Sequence, residues 1–255
     1  MSQPLLYLPA VSRALSAERL GAYRYRGDDD VGAVSTYLWS MRLCETLYPA
    51  LHGLEVALRN SLFNAGQQRF AGVACRDVPC WLDAHPPILA PDEWSRVQEA
   101  KARLRGRGKP LDPPHLVAEL TFGFWTALLD VRYEHRQVLW PRLLSAVFPA
   151  IPPQLRKRKV ISGRLNRVRL LRNRAFYHEP IWHWGNLKAQ HAEIRELLAW
   201  IDPSFDATVS LVDRFPETYA AGRSAFRAEV AELQAERDGK VRVVRIAPAS
   251  PPETN

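Results

Sequence analysis
Apolar residues recur at three- and four-residue steps along most of this chain, the spacing that lays a stripe down one face of an α-helix. Val31, Val34, Leu38 and Met41 mark one stripe over residues 31–43. Leu51, Leu54, Leu58 and Leu62 mark a second, on a long helix that starts at Pro49. Ser16 can cap a short amphipathic helix carrying Leu20 and Tyr23, and the acidic run Asp28, Asp29, Asp30 suits the positive end of the helix that follows it. Pro79, Pro86, Pro87 and Pro91 predict an irregular excursion over residues 72–91, with Pro91 opening a helix through Arg105. Gly106, Gly108, Pro110, Pro113 and Pro114 interrupt the chain again. Beyond them the pattern predicts an apolar helix over 115–129, a short one over 141–148, a long one over 155–177, and two more over 187–201 and 216–237. Residues 240–246 alternate like a strand but have no pairing partner nearby, so with the Pro-rich end after them they read as a flexible tail. The expected architecture is all-α: one helical domain over residues 1–237 and a tail over 238–255.

Composition adds a partner to this picture. With 255 residues, 47% of them hydrophobic, and eight Trp, the chain can fill a packed core. Its formal charge of +8 and pI near 9.7 fit an anionic partner, nucleic acid ahead of a membrane surface. No apolar run reaches the ~18 residues of a membrane span, and the N-terminus lacks the basic-then-apolar shape of a signal peptide, so a cytoplasmic protein is expected. Three cysteines, Cys44, Cys75 and Cys80, match no standard zinc spacing. Cys75, Cys80 and His85 offer potential ligands in a row but lack a Cys-x2-Cys knuckle and a fourth ligand. Buried thiols in a reducing compartment are the preferred reading, and no metal or cofactor is expected.

Positive charge concentrates on the helix over 155–177, which carries Arg156, Lys157, Arg158, Lys159, Arg164, Arg167, Arg169, Arg172 and Arg174 around an inward line of Ile161, Leu165, Val168 and Leu171. Arg172 falls beside that line, where a guanidinium is costly unless paired. Pro180 disfavours helical geometry at Glu179, which puts His178 at or just past the helix end. Arginine grips phosphate as a bidentate fork and histidine as a residue type moves protons near neutral pH. Arg172, Asn173 and His178 therefore supply the minimum chemistry for cleaving a phosphodiester. On an ideal helix Arg172 and His178 point about 120° apart, so either the imidazole turns back past the helix end or two subunits assemble the site. Arg156, Lys157, Arg158, Lys159, Arg164 and Arg174 fit sequence-independent attraction to an RNA backbone. No acidic cluster with metal-ligand spacing lies near the motif, which argues against a two-metal nuclease. Glu55 and Arg59, one helical turn apart, read first as an ion pair on one face. The other reading has Glu55, with Arg59 and Asn60, supporting an active-site arginine. The aromatic segment Phe122-Gly123-Phe124-Trp125 reads as core in preference to a base-stacking surface.

Three segments in order carry a family resemblance. Leu54-Glu55-Val56-Ala57-Leu58-Arg59-Asn60, preceded by Tyr37-Leu38-Trp39, resembles a helix common in Abi-like (abortive infection) proteins. The run Ala118 to Trp125 is similar to that family's Phe-Gly-Phe-Trp segment, and Leu170 to Ile181 carries an Arg-Asn-x4-His spacing that resembles the catalytic motif of the HEPN ribonuclease superfamily. The resemblance implies a HEPN-like helical bundle with additional N-terminal helices. It implies a metal-independent endoribonuclease of a phage-defence or toxin–antitoxin system, with Arg172, Asn173 and His178 catalytic. It also implies a homodimer whose two motifs face each other across a cleft, RNA as substrate, and an antitoxin protein as a further partner. The alternative is a non-catalytic RNA-binding or protein-interaction module of the same fold.

Overall fold
Apolar stripes decide where helices form, and capping and packing decide where they end. In a computed structural model of the chain, which describes residues 6–246, the backbone is all-α, with no strand among the described residues. The helices are α1 (Tyr7–Leu15), α2 (Ala17–Gly21), α3 (Asp30–Arg69), α4 (Pro91–Gly106), α5 (Pro113–Glu119), α6 (Phe122–Ala127) and α7 (Val131–His135). They continue as α8 (Leu144–Val147), α9 (Arg158–Phe176), α10 (Leu187–Ile201), α11 (Pro203–Ser210), α12 (Phe215–Ala221) and α13 (Ser224–Ile246). Ser16 caps α2 as expected, its hydroxyl accepting from the Arg19 N–H at 3.1 Å.

Four boundaries differ from the sequence reading. The stripes on either side of Pro49 belong to one 40-residue helix, α3. Proline removes one backbone hydrogen bond there, but Leu43, Leu47, Ala50, Leu51, Leu54, Leu58 and Leu62 are all buried, so apolar packing along the helix outweighs it. The expected helix over 115–129 divides at Thr121, whose side chain accepts from the Phe124 N–H and starts α6 afresh. The last expected helix divides at Gly222, whose φ of 64° only glycine adopts readily, giving α12 and α13. Residues 240–246, expected as a strand-like tail, continue α13: with no strand to pair with, their backbone groups are satisfied by the helix already running into them. Residues 247–255 lie outside the described residues. Helices α1, α7 and α11 were not expected.

The chain divides into two compact units where one domain was expected. Unit 1 comprises residues 6–46, His178–Gly185 and residues 214–246. Its core joins Leu8, Leu20, Ala33, Val34 and Val230, and α1 packs on α2 and α13. Unit 2 comprises Leu47–Tyr177 and Asn186–Asp213. In it α9 packs on α6, α7 and α10, and α4 packs on α5 and α6. Phe124 and Trp125 are fully buried, as core. No described helix is long and apolar enough to cross a membrane.

Cys44 is half-buried and Cys80 buried, and burial pushes both thiols up to about 11. The Cys75 thiol donates to the Cys80 carbonyl at 3.2 Å, and His85 Nδ1 faces the Arg76 guanidinium at 3.2 Å. Among the described residues no group of three or more His, Cys, Asp or Glu side chains converges on a metal position.

The Pro-rich excursion is fastened at two points in unit 2. Trp81 donates its indole N–H to the Phe63 carbonyl at 3.0 Å and lies so close to α3 that a Cβ on Gly66 would sit 2.2 Å from its ring. Asp83, wholly buried, receives the equally buried Lys101 ammonium at 2.7 and 2.8 Å and the N–H groups of Asp77 and Val78 at 2.8 and 2.9 Å. Burial works to raise the Asp83 carboxyl, but the hydrogen bonds from Lys101, Asp77 and Val78 outweigh it and hold the group below the ordinary carboxylate range. A depressed folded value means that this stabilisation is present above about pH 4, where unfolded aspartates ionise, and is lost as pH falls through the lower folded value. Lys101→Met strands the buried carboxylate and is expected to reduce unfolding free energy by about 3–5 kcal/mol, whereas adding Asp83→Asn recovers most of it. Urea midpoints of the single and double variants check this.

Candidate active site
Five buried apolar residues, Ile161, Leu165, Val168, Leu171 and Ala175, fix the rotation of α9 and so decide which of its cations face protein and which face solvent. Arg158 is buried: its Nε donates to Glu134 Oε2 at 2.7 Å and its Nη1 to the Leu129 carbonyl at 3.0 Å. Arg164 pairs with Glu196 and lies 4.5 Å from the centre of the Trp200 ring, and Arg167 pairs with Glu193. Expected on the RNA-facing surface, Arg158 and Arg164 instead bind α9 to α7 and α10. Arg156 is half-buried, with Nη2 on the Ile151 carbonyl at 3.3 Å. Lys157, at the N-cap, Lys159 and Arg174 are exposed.

Arg172 sits on the flank of that apolar line with 29% of its side chain exposed, and its Nε is buried without a hydrogen bond. Glu55 Oε2 is 3.8 Å from that Nε, near enough for attraction and too far for a hydrogen bond. The Glu55 carboxylate thus stands by Arg172, and no ion pair joins it to Arg59 among the described residues. Arg59 Nε is also buried without a hydrogen bond. Asn60 does not join this group; it lines a separate cleft in unit 2 with Ser61, Asn64 and Asp202. Asn173 is half-buried, and its carbonyl accepts the Tyr177 N–H at 2.8 Å to close the last turn of α9.

The helix ends at Phe176, and the boundary between the two units falls between Tyr177 and His178, placing Arg172 and Asn173 in unit 2 and His178 in unit 1. His178 is exposed and has φ 61°, the left-handed conformation that commonly terminates helices and that glycine or asparagine adopts more cheaply. Within unit 1, Arg19 Nη2 donates to the His178 carbonyl at 2.6 Å. Trp182 Nε1 donates to the Ala22 carbonyl at 3.2 Å, and the Trp182 ring lies 4.4 Å from that of Tyr25. These contacts fasten His178–Gly185 to the end of α2 and the turn after it.

One group was not anticipated. Tyr48 and His52 on α3 contact each other, and Tyr48 contacts Phe176 on α9, whose ring carries the Arg172 guanidinium. The signal is present in sequence as two i, i+4 pairs, Tyr48/His52 and Arg172/Phe176, but nothing in the sequence joins the two helices.

No protein-family model matches the chain, and no curated protein or solved structure matches it. If the left-handed position of His178 is only a helix stop, glycine serves it better than histidine. His178→Gly is expected to raise stability by up to about 1 kcal/mol, whereas His178→Ala, which keeps the Cβ, brings no gain. Thermal unfolding of the two variants measures the cost that a Cβ imposes at this position.

Proposed function
We propose that the protein is a metal-independent endoribonuclease that uses Arg172, Asn173 and His178. The observation that carries the reading is His178 itself: an exposed histidine holds a left-handed helix-end position where glycine is cheaper, and such local cost is characteristic of functional sites. The spare Arg172 Nε–H, the chain's formal charge of +8 and the resemblance of its motif segments to Abi-like HEPN proteins support it.

In this reading His178 takes the proton of a ribose 2′-hydroxyl, whose oxygen then attacks the adjacent phosphorus. The new 2′-O–P bond forms as the P–O5′ bond breaks, and the leaving oxygen takes a proton from water, giving a 2′,3′-cyclic phosphate and a 5′-hydroxyl. Arg172 stabilises the charge that builds on the phosphate, and Asn173 positions the phosphate or the imidazole by hydrogen bonding. Lys157, Lys159 and Arg174 add attraction to the RNA backbone. Two chains related by a two-fold axis would bring two such motifs to one groove. A phage-defence or toxin–antitoxin setting, with an antitoxin protein as partner, accompanies the resemblance.

Cleavage of total RNA is expected to proceed in EDTA, to yield cyclic-phosphate ends and to spare an all-deoxy substrate. His178→Ala should lower the rate by about 10²–10⁴-fold. Arg172→Lys should fail to restore activity, because a point charge does not replace the planar fork. Equal cleavage of DNA, or activity that requires added magnesium, would sink the mechanism. Sedimentation of the active species tests the dimer: an active monomer removes the shared groove.

A further inference from the structure
The side chains around Arg172 form a line of rings that ends on a guanidinium. Tyr48 and His52 lie one turn apart on α3 with centroids 5.4 Å apart and planes 18° from parallel. Tyr48 meets Phe176 at 6.0 Å with planes 36° apart, and the Arg172 Cζ lies 4.5 Å from the centre of the Phe176 ring. All four residues belong to unit 2. None is in the core: Tyr48 is 49% exposed, Phe176 41%, and His52 is exposed as well. Two neighbouring helices thus present two i, i+4 pairs side by side, with open π surface at one end and a partly exposed arginine at the other.

We propose that Tyr48, His52 and Phe176 form a stacking platform for the bases of single-stranded RNA, with Arg172 holding a phosphate at its end. The inference rests on the endoribonuclease reading and specifies how substrate would be held. Each member matches one part of a nucleotide. Every base has a π face, which an aromatic ring binds with little regard to sequence, and every linkage has a phosphate, which a guanidinium binds as a fork. The Arg172 guanidinium over Phe176 already shows the ring accepting a planar cation, and Glu55 behind it fixes the guanidinium without using its Nε–H. The chain's formal charge of +8 favours a polyanionic occupant of this cluster over a second protein surface. Platform and cation together predict a preference for unpaired RNA, because a duplex keeps its base faces covered.

The test uses the full chain and a 2′-O-methyl RNA octamer containing 2-aminopurine, which lacks the nucleophile and so binds without being cut. The wild-type protein is expected to quench the 2-aminopurine fluorescence on binding. Tyr48→Leu and Phe176→Leu should each weaken binding about tenfold and relieve the quenching, while affinity for an abasic octamer of equal length stays unchanged. Tyr48→Trp should keep both binding and quenching, and Arg172→Gln should weaken binding to both octamers. Circular dichroism of each variant confirms that these surface changes leave the helices folded. Leucine variants that bind and quench like the wild type overturn the platform, as does a wild-type protein that binds no octamer. Leucine variants that lose self-association while keeping octamer affinity also overturn it, by showing a surface between copies of the chain. Failure of the parent reading has a different signature: octamers stack with ring dependence, yet unmodified RNA of the same sequence stays intact.

Discussion
A lysine ammonium with no exposed side-chain area holds unit 2 together at its least regular point. Lys101 comes from a well-formed helix, α4, and Asp83 from the loop that follows α3. With the pairs from Lys101 and Arg105 to Asp77, this buried ion pair fastens a segment that has no continuous hydrogen-bond ladder of its own. The carboxylate also collects two loop N–H groups that would otherwise be buried without partners. Trp81, two residues earlier in the chain, then seats against α3 where Gly66 leaves room for the indole. Remove Lys101 and the Asp83 carboxylate is left buried without its cation, and among the described residues the loop keeps only Arg105–Asp77 as an ion pair to α4.

The same logic of one well-anchored helix governs the candidate site. Arg158 at the start of α9 is locked to Glu134 and a carbonyl, and Arg164 and Arg167 are tied to carboxylates of α10. With the helix held at that end and by its apolar line, the rotational positions of Arg172 and Phe176 are set before any ligand arrives. That is preorganisation: the guanidinium need not be ordered at the moment of binding. Cations in the first half of the helix thus serve the position of a cation in its last turn.

Periodicity made the helices legible, because burial repeats every three or four residues and a stripe such as Leu51, Leu54, Leu58, Leu62 has few other readings. Ends were less legible. Pro49 looked like a start because proline is a good first residue of a helix, yet the stripe continues through it. Thr121 and Gly222 act as caps through a single hydroxyl and a single backbone angle, which no stripe records. The candidate triplet Arg172, Asn173 and His178 was legible as residue types in a spacing, and His178 does lie just past the helix end. What could not be read was pairing across the chain. Glu55 stands beside Arg172 and not beside Arg59, its helical neighbour. Arg158 meets Glu134, and Arg164 meets Glu196. A basic helix looks uniformly available until its partners' carboxylates are placed.

The raised thiols have a practical consequence. With values near 11, Cys44 and Cys80 expose on the order of one thiolate in ten thousand at pH 7, against a few per cent for a free cysteine. Each is therefore slow toward alkylating reagents in the folded chain, Cys80 the more so because it is also buried, and each reacts faster when its surroundings open. Cys44 lies in unit 1 and Cys80 in unit 2. The chain thus carries two native chemical clocks, one per unit, whose labelling rates would time the opening of each unit without any introduced probe.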